Sequence, residues 1–295
     1  MGLSMKIAVG IATAGRPQLV KRVVKFLANQ TLAPSRVYVC PAKSSDFDPD
    51  GLTDLPFSVE IIRGAIGLPA QRNLIMAAGK EEDIILFLDD DFLPDEAFLS
   101  ELKTLFQSDE QIVLATGDVI ADGATGPGLS FEEAEKIVSD LRESPTERRE
   151  SVFNAYGCNM AVRMRTARGH DLRFDEVLPL YAWWEDVDFS RRIAAFGKVI
   201  KSNRLRGVHM GSKSGRTPGV RLGYSQVANI AYLIEKGTVP FSVGAVRIWR
   251  NVVANSIRQF APEPWVDRRG RFVGNLKGLR DWVRGRADPQ RILRL

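Results

Sequence analysis

The chain has 295 residues, 44% of them hydrophobic and 26% charged, with a net charge of +5. That composition excludes a disordered or collagen-like chain and leaves one large α/β domain, or one domain with an appendage. Two cysteines without metal-ligand spacing, Cys40 and Cys158, exclude a disulfide framework and read as buried thiols in a reducing compartment.

In chain order, "MKIAVGIAT" reads as a buried strand and "RPQLVKRVVKFLANQ" as a helix with Leu19, Val23, Phe26 and Leu27 on one face. "SRVYVC" and "FSVEIIRG" are the second and third strands, and "LPAQRNLIMAAGK" is a helix ending near Gly79. "DIILFL" is the fourth strand. "PDEAFLSELKTLFQ" is a helix with Pro94 at its first position, and "QIVLATGDVI" is the fifth strand. Strand and helix alternate over about 120 residues, which argues for a mostly parallel sheet with helices on both faces. "ADGATGPGLS" then reads as loop, "FEEAEKIVSDLRES" as a helix loosely tied to the core, and "FNAYGCNMAVRM" as a strand. A helix follows from about Asp186 to Phe196, with Gly197 as its stop, and then the strand "KVIKSNRLRGVHM". "GSKSGRTPGVR" is a mobile basic loop, and two helices span roughly 219–236 and 241–260.

The charge is uneven. Residues 247–295 hold twelve Arg or Lys against four Asp or Glu, a net +8, so residues 1–246 carry −3. A basic tail on an acidic body points to an anionic surface as partner rather than to a generally basic protein, and no nucleic-acid partner is expected. The start shows no signal-peptide pattern and no run of 18 apolar residues occurs, so a cytoplasmic protein is expected, peripheral at the inner face of the membrane if the tail binds lipid. In the helix 241–260, Val246, Trp249, Val253, Ile257 and Phe260 form a stripe expected to pack on the rest of the protein. Residues 261–295, with Trp265 and Trp282 among arginines and few apolar residues to build a core, are expected on an anionic bilayer.

Four constellations carry chemistry. Asp89, Asp90 and Asp91 end the fourth strand, where open α/β sheets bind ligands. Helix capping needs one of them, and adjacent anions repel, so a divalent Mg²⁺ or Mn²⁺ is expected. Asp89 and Asp91 alternate to the same side and form the pair that can share an ion. "WWEDVDFSRR" sets acids at a helix start beside Trp183 and Trp184. Capping explains one acid, whereas a general base beside sugar-stacking rings explains more. Thr13, Arg16, Arg63 and Arg72 form the third; Arg16 and Arg72 lie on the binding edge and suit a diphosphate or a base carbonyl, although an arginine taken alone is most often a surface or ion-paired group. No dinucleotide or P-loop glycine pattern is present. His209, at a strand end before Lys213 and Arg216, is read as a metal or phosphate contact next to a loop that closes over phosphates. His170 is read as surface.

The segments "IATAGRP", "GLPAQRN", "LFLDDD", "GCNMAVR", "RFDE" and "WEDVDFSRRIAAFG", in this order, resemble the family 2 inverting glycosyltransferases of the GT-A fold over about residues 5–215. The resemblance implies a mostly parallel central sheet flanked by helices, in a GT-A domain over 1–217 (donor half about 1–120, acceptor half about 121–217) followed by C-terminal helices and a basic tail over 218–295. It implies a nucleotide-diphosphate-sugar donor, with a UDP-sugar favoured, and a glycan or lipid-linked saccharide acceptor of the kind used in surface or exopolysaccharide assembly. By position, Asp91 would hold the metal, with His209 completing its site, and Asp89 and Asp90 would hold ribose or assist. Asp186 would be the base with Glu185 its neighbour, Thr13, Arg16 and Arg72 would bind the nucleotide, and Asn159 would join the two tryptophans at the acceptor. One departure is that no acidic pair directly follows the second strand. Either Asp46 replaces it or the nucleotide base is held differently. Two other readings compete: a sugar-phosphate nucleotidyltransferase, which would want a glycine-rich turn with Arg and Lys after the first strand, and a non-catalytic membrane-associated scaffold using the tail.

Overall fold

The computed structural model describes residues 5–141, 145–215 and 217–295. Its chain separates into two compact units, one of residues 1–66, 70–173 and 193–215, the other of residues 67–69, 174–192 and 216–295. The segment 174–192, expected with the sheet, thus belongs with the C-terminal helices.

In the first unit, strands β1 (Ile7–Thr13), β2 (Arg36–Pro41), β3 (Ser58–Ile61) and β4 (Ile84–Asp89) pair in parallel in the order β3-β2-β1-β4. The apolar runs of β1, β2 and β4 suit strands covered on both faces, while the edge strand β3 alternates polar and apolar residues and is only partly buried. Helix α1 (Pro17–Phe26) joins β1 to β2, α2 (Leu68–Ala78) joins β3 to β4, and α3 (Phe98–Ser108) comes later in the chain; α1 buries Val20, Val23, Val24 and Phe26 as its period predicts. Short β5 (Phe92–Pro94) follows β4 at once, so Pro94 opens no helix. It closes the edge of the sheet opposite Gly207, where a missing N–H is tolerated. Asp95 then turns the chain by accepting the Ala97 N–H at 2.8 Å.

The sheet continues through β6 (Ile112–Asp122), β7 (Arg149–Ser151), β8 (Asn159–Arg163) and β9 (Lys198–His209), in the overall order β3-β2-β1-β4-β8-β6-β9-β5, with β7 on β9. β8 runs antiparallel between β4 and β6, while the long β6–β9 ladder is parallel. Helix α4 (Phe131–Ser139) is anchored more firmly than its sequence suggests: Ser130 and Glu133 form a reciprocal cap, and Phe131, Ala134 and Val138 are buried. The last residues expected in that helix, 142–144, lie outside the described residues. Helix α5 (Met164–Gly169) directly follows β8 and was not legible in the sequence. His170 is exposed and stacks on Phe196 with ring centroids 3.6 Å apart. Gly197 ends the next turn in an extended conformation, and a side chain is excluded there because a Cβ would lie 2.3 Å from the Gln111 carbonyl oxygen.

The second unit holds α6 (Glu185–Ile193), α7 (Gly219–Glu235), α8 (Phe241–Arg258) and α9 (Arg268–Val283). Here two expectations about the tail are corrected. Residues 268–283 are a packed helix although little of α9 is apolar. Glycines replace bulk: a Cβ on Gly223 would lie 2.0 Å from the Arg271 carbonyl oxygen, and one on Gly274 would lie 2.1 Å from that of Val220. Backbone therefore meets backbone, and the buried amides of Asn255 and Asn275 bridge the helices through Gln226 and the Gly223 carbonyl. The stripe of α8 behaves in the opposite way. Gly244, Ile248, Val252 and Asn255 are its buried face, and Val246, Trp249, Val253, Ile257 and the following Phe260 are exposed. Among the described residues, no helix is long and apolar enough to cross a membrane.

Candidate active site

Strand register assembles the first cluster. β1 and β4 are in step, so Thr13 and Asp89 finish neighbouring strands at the same edge. β9 pairs His209 with Asp122 of β6 on one side and with Phe92 of β5 on the other. Asp91, one residue before Phe92, is thereby delivered next to the imidazole.

His209 Nε2 lies 3.2 Å from Asp91 Oδ1 and 3.9 Å from Asp89 Oδ2. Its Nδ1 is 2.9 Å from Asp122 Oδ1, and Asp122 also accepts a hydrogen bond from the Tyr156 hydroxyl at 3.1 Å. Asp122 thus fixes the ring and aims Nε2 at the two carboxylates, the usual support of a metal-bound histidine. One ligand atom each from Asp89, Asp91 and His209 fall within 4.8 Å of one another. Two carboxylates and one imidazole suit a Mg²⁺- or Mn²⁺-type ion, and Asp89, with its side chain 32% exposed, is the open side. Burial alone would lower the His209 pKa, but the bonds to Asp122 and Asp91 outweigh it and raise the value to about 10.

Asp91 is 2% exposed and also accepts the Ser212 N–H at 2.7 Å. Burial would raise its pKa, yet His209, Arg16 and Ser212 together hold it below the usual carboxylate range. Asp90 uses both oxygens on protein: one accepts from the Thr13 hydroxyl at 2.6 Å, the other from Arg16 Nη1 at 2.7 Å. Its burial outweighs those partners and pushes its pKa up to about 6. Arg16 also stands 3.3 Å from Asp91 and donates to the Ser214 carbonyl. Arg72 is buried at 1% exposure, donates to the Gly157 carbonyl at 2.7 Å and stands 3.4 Å from Asp89. Thr13, Arg16, Arg72, the three aspartates and His209 are therefore one network.

Other expected residues sit elsewhere. Arg63 is exposed, and Arg216 lies outside the described residues. Lys213 donates to the Gly123 carbonyl at 2.8 Å, and with Ser212 on Asp91 and Ser214 on Arg16 it ties residues 212–214 to the sheet edge, where a mobile loop was expected. Asn159 is fully buried and takes the Thr116 hydroxyl and Gly117 N–H on its carbonyl oxygen, a role inside the sheet. Asp46 closes a turn by accepting the Lys43 N–H. Asp122 and Gln71 were not singled out by the sequence. Gln71 is buried and joins the Thr13 and Cys40 carbonyls across β1 and β2. Asp122 ends β6 beside His209 and Gln71 lies in the first turn of α2 over β1 and β2, places that only the pairing of the elements reveals.

In the second unit, Leu180, Ala182 and Trp184 all have positive φ, at 58°, 52° and 73°. Three non-glycine residues in that region within five positions mark a strained entry to α6. Trp183 and Trp184 pack against Val227, Ile230, Ile248 and Val252, and Arg247 lies 5.8 Å over the Trp183 ring. In the first turn of α6, Glu185 is buried and Asp186 is half-buried, accepting the Val187 N–H at 2.8 Å. Asp188, fully buried, is bound by Arg192 at 2.8 Å and Lys236 at 2.9 Å. Lys236 also holds Asp175, which accepts the Tyr232 hydroxyl.

The sequence matches the family described as Glycosyl transferase family 2 over residues 8–168. A search of curated proteins returns no match. Among solved structures, a mannosyltransferase from Pyrobaculum calidifontis in complex with GDP-Man and Mn²⁺ superposes with a TM-score of 0.59 at 13% identity, over 95% of this chain and 88% of that one. S. aureus TarS 1–349 in complex with UDP-GlcNAc gives 0.56 at 15% identity, over 98% and 83%. GalNAc-T7 with UDP, GalNAc and Mn²⁺ gives 0.56 at 13%, over 100% and 57%. Of another TarS crystal structure this chain spans 44%. At these identities the likeness shows the fold, an α/β sheet flanked by helices shared with these transferases.

Proposed function

The chain belongs to glycosyl transferase family 2, and from that premise we propose that it moves a sugar, with inversion, from a nucleotide-diphosphate donor to an acceptor hydroxyl, aided by Mn²⁺ or Mg²⁺ on Asp89, Asp91 and His209. The observation that carries the metal assignment is the His209 ring, fixed by Asp122 and presenting Nε2 to two carboxylates. When bound, such an ion neutralises charge on a departing diphosphate.

The chain's own residues do the rest. Arg16 and Arg72 supply positive charge beside the diphosphate, and Thr13 and Asp90 hold Arg16 in place. Of the two parts read for Asp90, holding ribose or assisting, the second is favoured by its bonds to Thr13 and Arg16, and Asp89 takes the position nearer the nucleotide. Asp186, with Glu185 beside it, takes the proton of the acceptor hydroxyl. The strained 180–184 segment presents Trp183 and Trp184 for stacking on the acceptor sugar. The neighbours solved with UDP-GlcNAc, with UDP and GalNAc, and with GDP-Man support a sugar nucleotide, and a UDP-sugar is favoured. A saccharide or lipid-linked acceptor at the inner face of the membrane, in surface or exopolysaccharide assembly, completes the proposal. The family match removes the ground for the nucleotidyltransferase and scaffold readings.

The test is calorimetric titration of UDP- and GDP-sugars with Mn²⁺ and with EDTA, followed by transfer to saccharide acceptors and assignment of the anomeric product. Metal-dependent binding of one donor class and an inverted product are expected. Asp186→Asn should keep donor affinity and lower turnover by roughly 10² or more. A variant that turns over at the wild-type rate moves the base elsewhere.

A further inference from the structure

The exposed face of α8 is unlike the rest of the surface. Trp249 is 58% exposed, Ile257 66% and Phe260 84%, and with Val246 and Val253 they follow one another at helical spacing. The same helix buries its other face through Gly244, Ile248 and Val252, so its fold does not need this stripe. At one end, a groove of about 420 Å³ joins Val243 and Val246 to Trp184, Arg247 and Arg250. From Gly237 to Pro262 the chain contains no Asp or Glu, while Arg247, Arg250 and Arg258 lie along α8, the last of them meeting Glu263 beyond the helix end at 3.2 Å.

We propose that this face of α8 is a membrane-docking surface that lies on an anionic bilayer, with Trp249, Val253, Ile257 and Phe260 in the headgroup–acyl boundary and the flanking arginines on lipid phosphates. Charge decides the occupant. An apolar stripe edged by guanidiniums, on a helix that carries no carboxylate of its own and meets Glu263 only at its last arginine, complements a negative surface whose interior is hydrocarbon. A second copy of this face would set Arg247, Arg250 and Arg258 against their own kind. The sequence alone directs the membrane to residues 261–295, but α9 spends its small residues and amides on α7. The lipid contact therefore moves to the helix before it. This inference stands on the α8 surface and does not need the donor chemistry proposed above.

Flotation of the full chain tests it, with vesicles of phosphatidylcholine alone and with 30 mol% phosphatidylglycerol. Wild type should float with the anionic vesicles at low salt, and each tenfold rise in salt should weaken this severalfold. Trp fluorescence should be quenched by lipids brominated high in the acyl chain. Val253→Asp/Ile257→Asp should lose at least tenfold in binding while keeping its melting temperature, since both sites are exposed. Trp249→Leu should still float while losing most of the quenching. Three outcomes overturn the proposal: wild type that stays with the buffer, a double variant that floats like wild type, or a wild-type dimer that the double variant makes monomeric while neither binds vesicles. Flotation needs no turnover, so an inactive protein that floats leaves the docking surface standing, and an active one that stays in the buffer removes it alone.

Discussion

Two carboxylate clusters invite comparison. Around His209 stand Asp89, Asp90, Asp91 and Asp122, against the guanidiniums of Arg16 and Arg72. With His209 protonated, as its raised pKa implies, one negative charge is left over, and with the neutral imidazole that ligates a metal two are left, the complement of a divalent cation. Around Lys236 stand Asp175 and Asp188, against Lys236 and Arg192, and the charges cancel. Both clusters are largely buried and both come from acid-rich sequence. The difference lies in the balance: an excess of anions is expensive to bury unless a cation joins it, whereas a neutral set is complete and serves the fold.

The largest expected effect breaks the first cluster. Asp91→Ala should lower turnover by roughly 10³ or more and abolish Mn²⁺-dependent donor binding, because the diphosphate then meets Asp89 without a shared ion. Its melting temperature should change little. Calorimetry with and without EDTA decides, and tight donor binding that ignores EDTA refutes the metal assignment.

The second cluster should answer in the opposite currency. Asp188→Ala removes the buried carboxylate shared by Arg192 and Lys236, leaving Asp175 as the one anion between two cations, and should cost about 3 kcal/mol. Metal stoichiometry should stay at the wild-type value. Denaturant melts beside a Mn²⁺ titration check both halves, and a variant of normal stability that has lost metal would reverse the two roles.

Asp122→Asn sharpens the first cluster without emptying it. The amide is a weaker acceptor for the Nδ1–H, so it neither fixes the tautomer that presents Nε2 to the ion nor raises the basicity of the ring as a carboxylate does. Mn²⁺ affinity should fall about 10- to 100-fold with the fold intact. Equal affinity in variant and wild type would reduce Asp122 to a surface contact of His209.

The sequence shows some of this better than the rest, for physical reasons. β1, β4 and β9 are legible because a buried strand must be an apolar run, and the Asp triplet because repulsion among neighbours demands an explanation. His209 stands out through the scarcity of histidine. Asp122 and Gln71 do not, since their roles depend on which strand pairs with which. Asp188 looks like its neighbour Asp186 in sequence, and Lys236, 48 residues away, decides between them. The α7–α9 contact leaves no apolar period because glycines and amides make it. The stripe of α8 is legible as a pattern, but periodicity is silent about whether an apolar face meets protein or lipid.

The smallest effect belongs to a third carboxylate, whose setting lies between those of the two clusters. Glu263 takes a two-pronged bond from Arg268, at 2.8 and 2.7 Å, and a third from exposed Arg258 at 3.2 Å, pinning the start of α9 to the end of α8. The bond from Arg268 is the main reason its pKa falls from 4.5 to about 2. A depressed folded-state value means that its stabilisation is complete above about pH 4.5, declines as pH falls through that value, and is gone below about pH 2. Solvent screens much of it, so Glu263→Gln should cost at most about 1 kcal/mol at pH 7. The gap between wild type and variant should close on acidification, as denaturant melts between pH 7 and pH 3 would show. A carboxyl resonance of Glu263 that titrates near 4.5 in the folded protein would remove the argument, leaving the α8–α9 junction to the buried amides alone.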